Sequence, residues 1–239
     1  MKIIKASYEI MDPLDGLEIL KKIERCGRVC YKSEDKITDD SCKDFVRKII
    51  KSGHESVLEH FSFTVKFIVD RGVSHELVRH RIASFSQEST RYCNYGGEGC
   101  TFIEPCFWDE DSEKYGRWMG CCSDAEKEYL HLLKLGATPQ EARSVLPNSL
   151  KTEVVMTANL REWRHFFELR TTQKAHPQMR EVTIPLLKEL QSLIPVVFDD
   201  IGKVNLCDTC LNNFPICSGN DNVIDCSTYA KKFNSGENK

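Results

Sequence analysis

Apolar positions along this chain change period several times, and the changes mark its elements. Phe61, Phe63, Val65, Phe67 and Val69 alternate strictly with other residues, the period-two pattern of a half-buried strand. Residues 152–158, rich in valine, predict a second strand, and residues 1–5 read as the start of another. Helical spacing lies between them. Asp12-Pro13 predicts the N-terminus of a helix with Leu17, Leu20 and Ile23 on one face, ended by Gly27. Cys42, Phe45, Val46, Ile49 and Ile50 predict a helix over about 39–52, closed by Gly53. After a turn at Asp70-Arg71-Gly72, Ser74 is the expected cap of a short helix. Ser123 with Glu126 reads as a capping box for a helix bearing Tyr129, Leu132 and Leu133, ended by Gly136. Thr138-Pro139-Gln140-Glu141 opens the next, which Pro147 stops. Asn159 with Glu162 caps a helix presenting Trp163, Phe166 and Phe167. A long helix follows Pro177, bent at Pro185 and stopped at Pro195. Between Cys93 and Cys122 the pattern loosens. Strands and helices mix without a βαβ rhythm, so the expected class is α+β with an antiparallel-type sheet.

Composition bounds this picture. The chain has 239 residues, 41% hydrophobic and 29% charged, which fits a soluble globular domain with an appendage. The expected division is a domain over 1–200 and a cysteine-containing tail over 201–239. A net charge of -3 and a pI near 6.2 give no global attraction to nucleic acid or membranes. Ten of the thirteen arginines nevertheless fall between Arg71 and Arg180, which points to a local anion site. Arg79, His80, Arg81 and Arg91 lie within thirteen residues. Guanidinium forks suit phosphate and carboxylate, and the polar run Ser84, Ser86, Gln87, Glu88, Ser89 and Thr90 can grip a heterocycle. Aliphatic and aromatic neighbours make this a half-buried groove in place of a solvated face.

Other chemistries find little support. Gly96-Gly97-Glu98-Gly99 is a loop and no dinucleotide fingerprint, and no P-loop is present. No targeting segment is visible, and the strongest apolar stretch, 61–69, is too short to span a bilayer. The expected compartment is the cytoplasm, where the twelve cysteines stay reduced. Cys207, Cys210, Cys217 and Cys226 would suffice for tetrahedral zinc, but the second pair lacks the Cys-x-x-Cys spacing. A reduced, metal-free, partly disordered tail is expected.

Arg79-His80-Arg81, seven residues and then Ser89, with Arg91-Tyr92 following, resembles the signature of the flavin-dependent thymidylate synthases. His54 to Phe61, containing Ser56 and Glu59-His60, resembles that family's histidine and Glu-His-x-x-Phe segment. Downstream, Ala142-Arg143 to Pro147 and Asn159 to Arg170 are similar to further family blocks. The resemblance covers about 50–195. It implies reductive methylation of dUMP to dTMP, with FAD as prosthetic group, methylenetetrahydrofolate as carbon donor and NADPH as reductant. It also implies a homotetramer with active sites shared between subunits.

Residue by residue, the resemblance makes Arg170 catalytic, stabilising negative charge on the uracil ring as C5 becomes nucleophilic. His54 lies beside the flavin and influences its oxidation and the folate step. Ser56, Arg79, His80, Arg81, Gln87, Asn159, Arg161 and His165 are implied flavin contacts. Glu76, Arg79, Gln87, Glu88, Ser89, Arg91, Arg143 and Arg170 are implied dUMP contacts. Many relatives carry Asn where this chain has His165, and some carry Glu where it has Gln87. Glu59 and His60 are expected to be structural. Ser89 is expected to position dUMP and not to attack it, because no Ser/His/acid arrangement identifies a base. Two other readings remain open at this point. A nucleic-acid-binding module built on the arginine cluster and tail cysteines predicts a colourless preparation, and a flavoprotein could act on another nucleotide.

Overall fold

The computed structural model describes residues 1–202, of which Met1–Asp199 form one compact unit. Its strands are β1 (Lys2–Ile4), β2 (Ser7–Ile10), β3 (Ser62–Asp70), β4 (Ala83–Gln87), β5 (Thr101–Ile103) and β6 (Lys151–Asn159). Its helices are α1 (Gly16–Val29), α2 (Ser41–Lys51), α3 (Arg71–Leu77), α4 (Glu113–Lys134), α5 (Pro139–Ala142), α6 (Leu160–Arg170) and α7 (Pro177–Leu193). The class is α+β. One sheet has the order β2-β3-β6-β4 with every pair antiparallel, and β1 and β5 form a separate parallel pair.

The alternation read from the sequence becomes a core. Phe63, Val65, Phe67 and Val69 of β3 are buried, as are Thr152, Val154, Met156 and Ala158 beside them on β6. The chain passes from β6 into α6 without a linker, and α6 lays Trp163, Phe166 and Phe167 on that face. Trp163 stacks on Phe63 at 4.9 Å, and its indole N–H donates to the Phe63 carbonyl (3.2 Å), so a large ring is buried with its polar group satisfied. Met179, Val182, Leu186 and Leu190 of α7 add to the same core, with Pro185 inside the helix. A second cluster of Cys100, Phe102, Cys122, Tyr129, Ala142 and Leu150 lies under α4.

Several local expectations are corrected. Asp15, not Asp12, caps α1, accepting from the Glu18 N–H (3.1 Å); the Asp12 carboxylate instead accepts from Thr64 N (2.7 Å) on β3. Gly27 lies inside α1, where a β-carbon would sit 2.5 Å from the Phe45 ring of α2. Asp70 caps α3 through Val73 N (2.6 Å), while the Ser74 hydroxyl, one turn in, donates back to Arg71 O (2.9 Å). Ser123 and Glu126 are no capping box, because α4 has run since Ser112, whose hydroxyl accepts from Tyr115 N. Glu126 reaches across to accept from Cys100 N (2.7 Å). The loosened stretch hides β5. The Gly136 stop holds: its φ of +92° continues no helix. The four tail cysteines lie outside the described residues.

Candidate active site

Register decides which sequence blocks meet. Ser62 pairs with Asn159 and Ala83 with Ala158, so the start of β3, the end of β6 and the start of β4 lie side by side. That end of the sheet gathers His54 and Ser56 ahead of β3, Arg79 and Arg81 ahead of β4, and Asn159 and Arg161 at the start of α6. A 3₁₀ turn over Glu55–His60 is tied to α6 by buried Arg164, which donates to Glu55 (3.2 Å), and by Arg161, which pairs with Glu59 (2.7 Å). His54, Ser56, Arg79 and Arg81 are exposed, and the side chains of Arg79 and Arg81 form no ion pair among the described residues. Asn159 caps α6, accepting from Glu162 N (2.9 Å), as its sequence position predicts.

Gln87, Glu88, Ser89, Arg91 and Arg143, five of the implied nucleotide contacts, sit at or beyond the opposite end of β4, about 13 Å away at a strand rise of about 3.3 Å per residue. There Glu88 accepts from Lys151 (3.0 Å) and from Tyr95 (2.8 Å). Arg143 donates to Thr90 (3.0 Å), and the Ser89 hydroxyl accepts from Arg91 N (3.3 Å). The Arg91 guanidinium lies over the Tyr92 ring at 5.5 Å. Gln87 faces inward, its amide donating to Ser74 (2.9 Å) and Thr152 (3.3 Å).

Arg170 occupies a third position, at the last turn of α6. Its Nε donates to His80 Nε2 (3.1 Å), its Nη1 to the Glu76 carboxylate (2.7 Å) and its Nη2 to the Glu76 carbonyl (3.2 Å). The guanidinium is thereby clamped on two sides while its side chain stays 18% exposed. It lines an open cavity of about 550 Å³ with Glu76, Glu168, Leu169, Thr172, Lys174 and His176. Such a volume suits one small-molecule ligand, which would meet both cationic groups and the Glu76 and Glu168 carboxylates in the wall. His80 is buried, and Phe166 packs edge-on against it at 4.9 Å. Its Nδ1 faces Glu162 (3.1 Å), so both ring nitrogens are engaged within the chain. Burial holds the His80 imidazole below its ordinary pKa of 6.5, against the Glu162 hydrogen bond, and the Arg170 charge adds to the depression. His165 is exposed on the same helix, its ring 5.9 Å from that of His80.

Glu162 is the participant that the sequence hid. It reads as a helix-cap partner, yet it is buried beside His80. The usable signal is a carboxylate on the apolar stripe of α6, next to Trp163 and one turn before Phe166. His80, Glu162 and His165 bring three potential metal-ligand atoms within 4.8 Å of one another. A cation there would need the bare Nδ1 of His80, putting a proton on the Nε2 that already receives the Arg170 N–H.

Known proteins similar to this chain point to one family. Residues 16–196 match the sequence model of the Thy1 family, described as thymidylate synthase complementing protein. A flavin-dependent thymidylate synthase of Geobacter sulfurreducens is 36% identical over 194 residues, 77% of this chain and 82% of that protein. One from Pyrococcus abyssi is 38% identical over 171 residues, 69% of this chain and 70% of that protein. Among solved structures, the UMP/dUMP methylase PolB of Streptomyces cacaoi bound with 5-Br dUMP superposes with a TM-score of 0.70. It is 26% identical, and the match covers 83% of this chain and 96% of that one. The arginine-histidine signature, the shared fold and the family match over 16–196 lead to one conclusion: this chain belongs to the Thy1, thymidylate synthase complementing protein, family.

Proposed function

We propose that the protein is a flavin-dependent thymidylate synthase that reductively methylates dUMP to dTMP, with methylenetetrahydrofolate giving the carbon and NADPH the reducing equivalents. The observation that carries this reading is Arg170, fixed between Glu76 and His80 in the wall of a ligand-sized cavity. Three of its five N–H donors are committed to the protein, so the guanidinium keeps its place and still has donors for a ligand. A pyrimidine beside it would ionise with its negative charge already met.

The residues fit FAD. Exposed Arg79 and Arg81 suit a pyrophosphate, His54, Ser56, Asn159 and Arg161 supply hydrogen-bonding groups at the same end of the sheet, and exposed His165 adds another further along α6. FAD bound there supplies the redox chemistry that no side chain can perform. The chain's own part is to bind and orient. Arg91 and Arg143 hold the nucleotide phosphate, and Gln87, Glu88 and Ser89 fix its base and sugar. Ser89 has no imidazole or carboxylate of its own chain within hydrogen-bond reach among the described residues, in keeping with a positioning role.

The active form is a homotetramer. In one chain the flavin-type and phosphate-type residues lie toward opposite ends of β4, a split that suits a site completed by a neighbouring subunit. Tyr92 and Ile82, 79% and 71% exposed beside the signature, supply apolar surface for that contact. A reducing cytoplasm suits the free thiols.

Purified protein should be yellow and should form dTMP from dUMP, methylenetetrahydrofolate and NADPH. A colourless preparation that takes up no FAD and forms no dTMP would overturn the assignment.

A further inference from the structure

We propose that Glu162 is a positioning residue for Arg170, acting through the tautomer of His80; this deepens the reading above and rests on it. The argument begins with the two faces of one ring. Arg170 Nε carries a hydrogen and can only donate, so His80 Nε2, 3.1 Å away, must present a lone pair. A neutral imidazole with bare Nε2 holds its proton on Nδ1. Glu162, 3.1 Å from Nδ1, is an acceptor and selects that tautomer. The opposite tautomer would leave a carboxylate facing a lone pair and set two N–H groups against each other.

The contact is built to be specific. The His80 and Glu162 side chains are 3% and 7% exposed, so water does not substitute for either partner. Glu162 is itself held, because its own N–H is taken by the Asn159 cap (2.9 Å) at the first turn of α6. Phe166, one turn on, braces the ring edge-on. Arg170 lies two turns further along the same helix, too far for Glu162 to touch it directly. The imidazole bridges that gap, and Glu76 on α3 grips the other side of the guanidinium. A carboxylate that locks an imidazole so that its far nitrogen orients a third group is established enzyme logic.

The amide of Glu162→Gln can rotate to donate to Nδ1, which releases the wrong tautomer toward Arg170. The loss expected is about 10–100-fold in kcat, the size of a misplaced catalytic group, with flavin content retained. Glu162→Asp keeps the acceptor and should recover part of it. In a His80→Asn background, Glu162→Gln should cost nothing further, because the link is already cut. Nitrogen-15 NMR of histidine-labelled flavoprotein reads the tautomer directly, with His80 assigned from its absence in His80→Asn. Wild type should show protonated Nδ1 and bare Nε2, and Glu162→Gln should shift the proton toward Nε2. A wild-type ring protonated on Nε2 overturns the proposal, even where Glu162→Gln does not fold. So does full additivity of the two substitutions, or an unchanged kcat in Glu162→Gln. Should wild type form no dTMP at all, the assigned reaction fails while the NMR result still decides what Glu162 does to His80.

Discussion

Arg170 and Ser89 divide the chemistry between a clamped charge and an unassisted hydroxyl. Arg170→Ala removes a cation that His80 and Glu76 hold in place, and leaves the Glu76 carboxylate in the cavity wall without its partner. Turnover should fall at least about 100-fold, the loss typical of a preorganised electrostatic donor, with the flavin spectrum near normal. Ser89→Ala removes one hydrogen-bonding group and should keep measurable turnover. Recovery of a Ser89–nucleotide adduct on the productive path would reverse that assignment.

His80 makes the site sensitive to acid. Its pKa in the fold lies below the unfolded value of 6.5, so above that value the ring is neutral in both states and its full contribution to stability is present. As pH falls below 6.5, the unfolded chain takes up a proton that the fold resists. Stability then declines until the folded pKa is passed. The groups facing His80 are Glu162, His165 and Arg170 of α6, and Arg170 carries the influence of Glu76 on α3. Protonation of the folded ring, at the lower end of that range, turns Nε2 into a donor against Arg170, so turnover should drop there. Melting temperatures measured from pH 8 to 5 should show a decline in wild type that is shallower in His80→Asn.

Helices and strands were legible where their signals are local. The period-two run of β3 and the Asn159 cap of α6 each depend on residues within a few positions, and both stand as read. The start of α4 was missed because Gly116, Gly120 and an inviting Ser123 imitate a break, while Tyr115, Cys122 and Tyr129 bury one face throughout. The signature arginines were visible as a motif. Their partners were not: His80 meets Glu162 across 82 positions and Arg170 across 90, and only the fold joins them. Two glycines make this concrete. A methyl group on Gly27 would lie 2.5 Å from Phe45, so Gly27→Ala should destabilise by about 1–3 kcal/mol through overpacking. Gly116 on α4 faces open space, and Gly116→Ala should stabilise by about 0.5–1 kcal/mol. Thermal melts of the two variants should move in opposite directions.

Assembly can be tested without a structure of the tetramer. Arg79→Ala and Arg143→Ala damage opposite ends of β4, and each alone should be nearly inactive. Co-expressed with different tags and isolated as mixed oligomers, they should regain activity well above either parent, since some sites receive an intact residue from each chain. No recovery in verified mixed oligomers would place both arginines in the site of one chain. Light scattering of a flavin-loaded, active monomer would remove the shared site altogether.

The joint between β6 and α6 bears on how the protein moves. No loop separates Asn159 from Leu160, the Leu160 N–H donates to Phe61 O (3.0 Å), and the cap closes on Glu162. Strand and helix therefore cannot hinge against each other, and must open together or not at all. In deuterated buffer, the amides of β6 and of Trp163 to Phe167 should exchange at one shared, slow rate. The amides of α4, over its separate core, should exchange on a faster clock of their own. Warming should then loosen α4 well before His80 and Arg170 lose their alignment, so that catalysis outlasts the first softening of the fold.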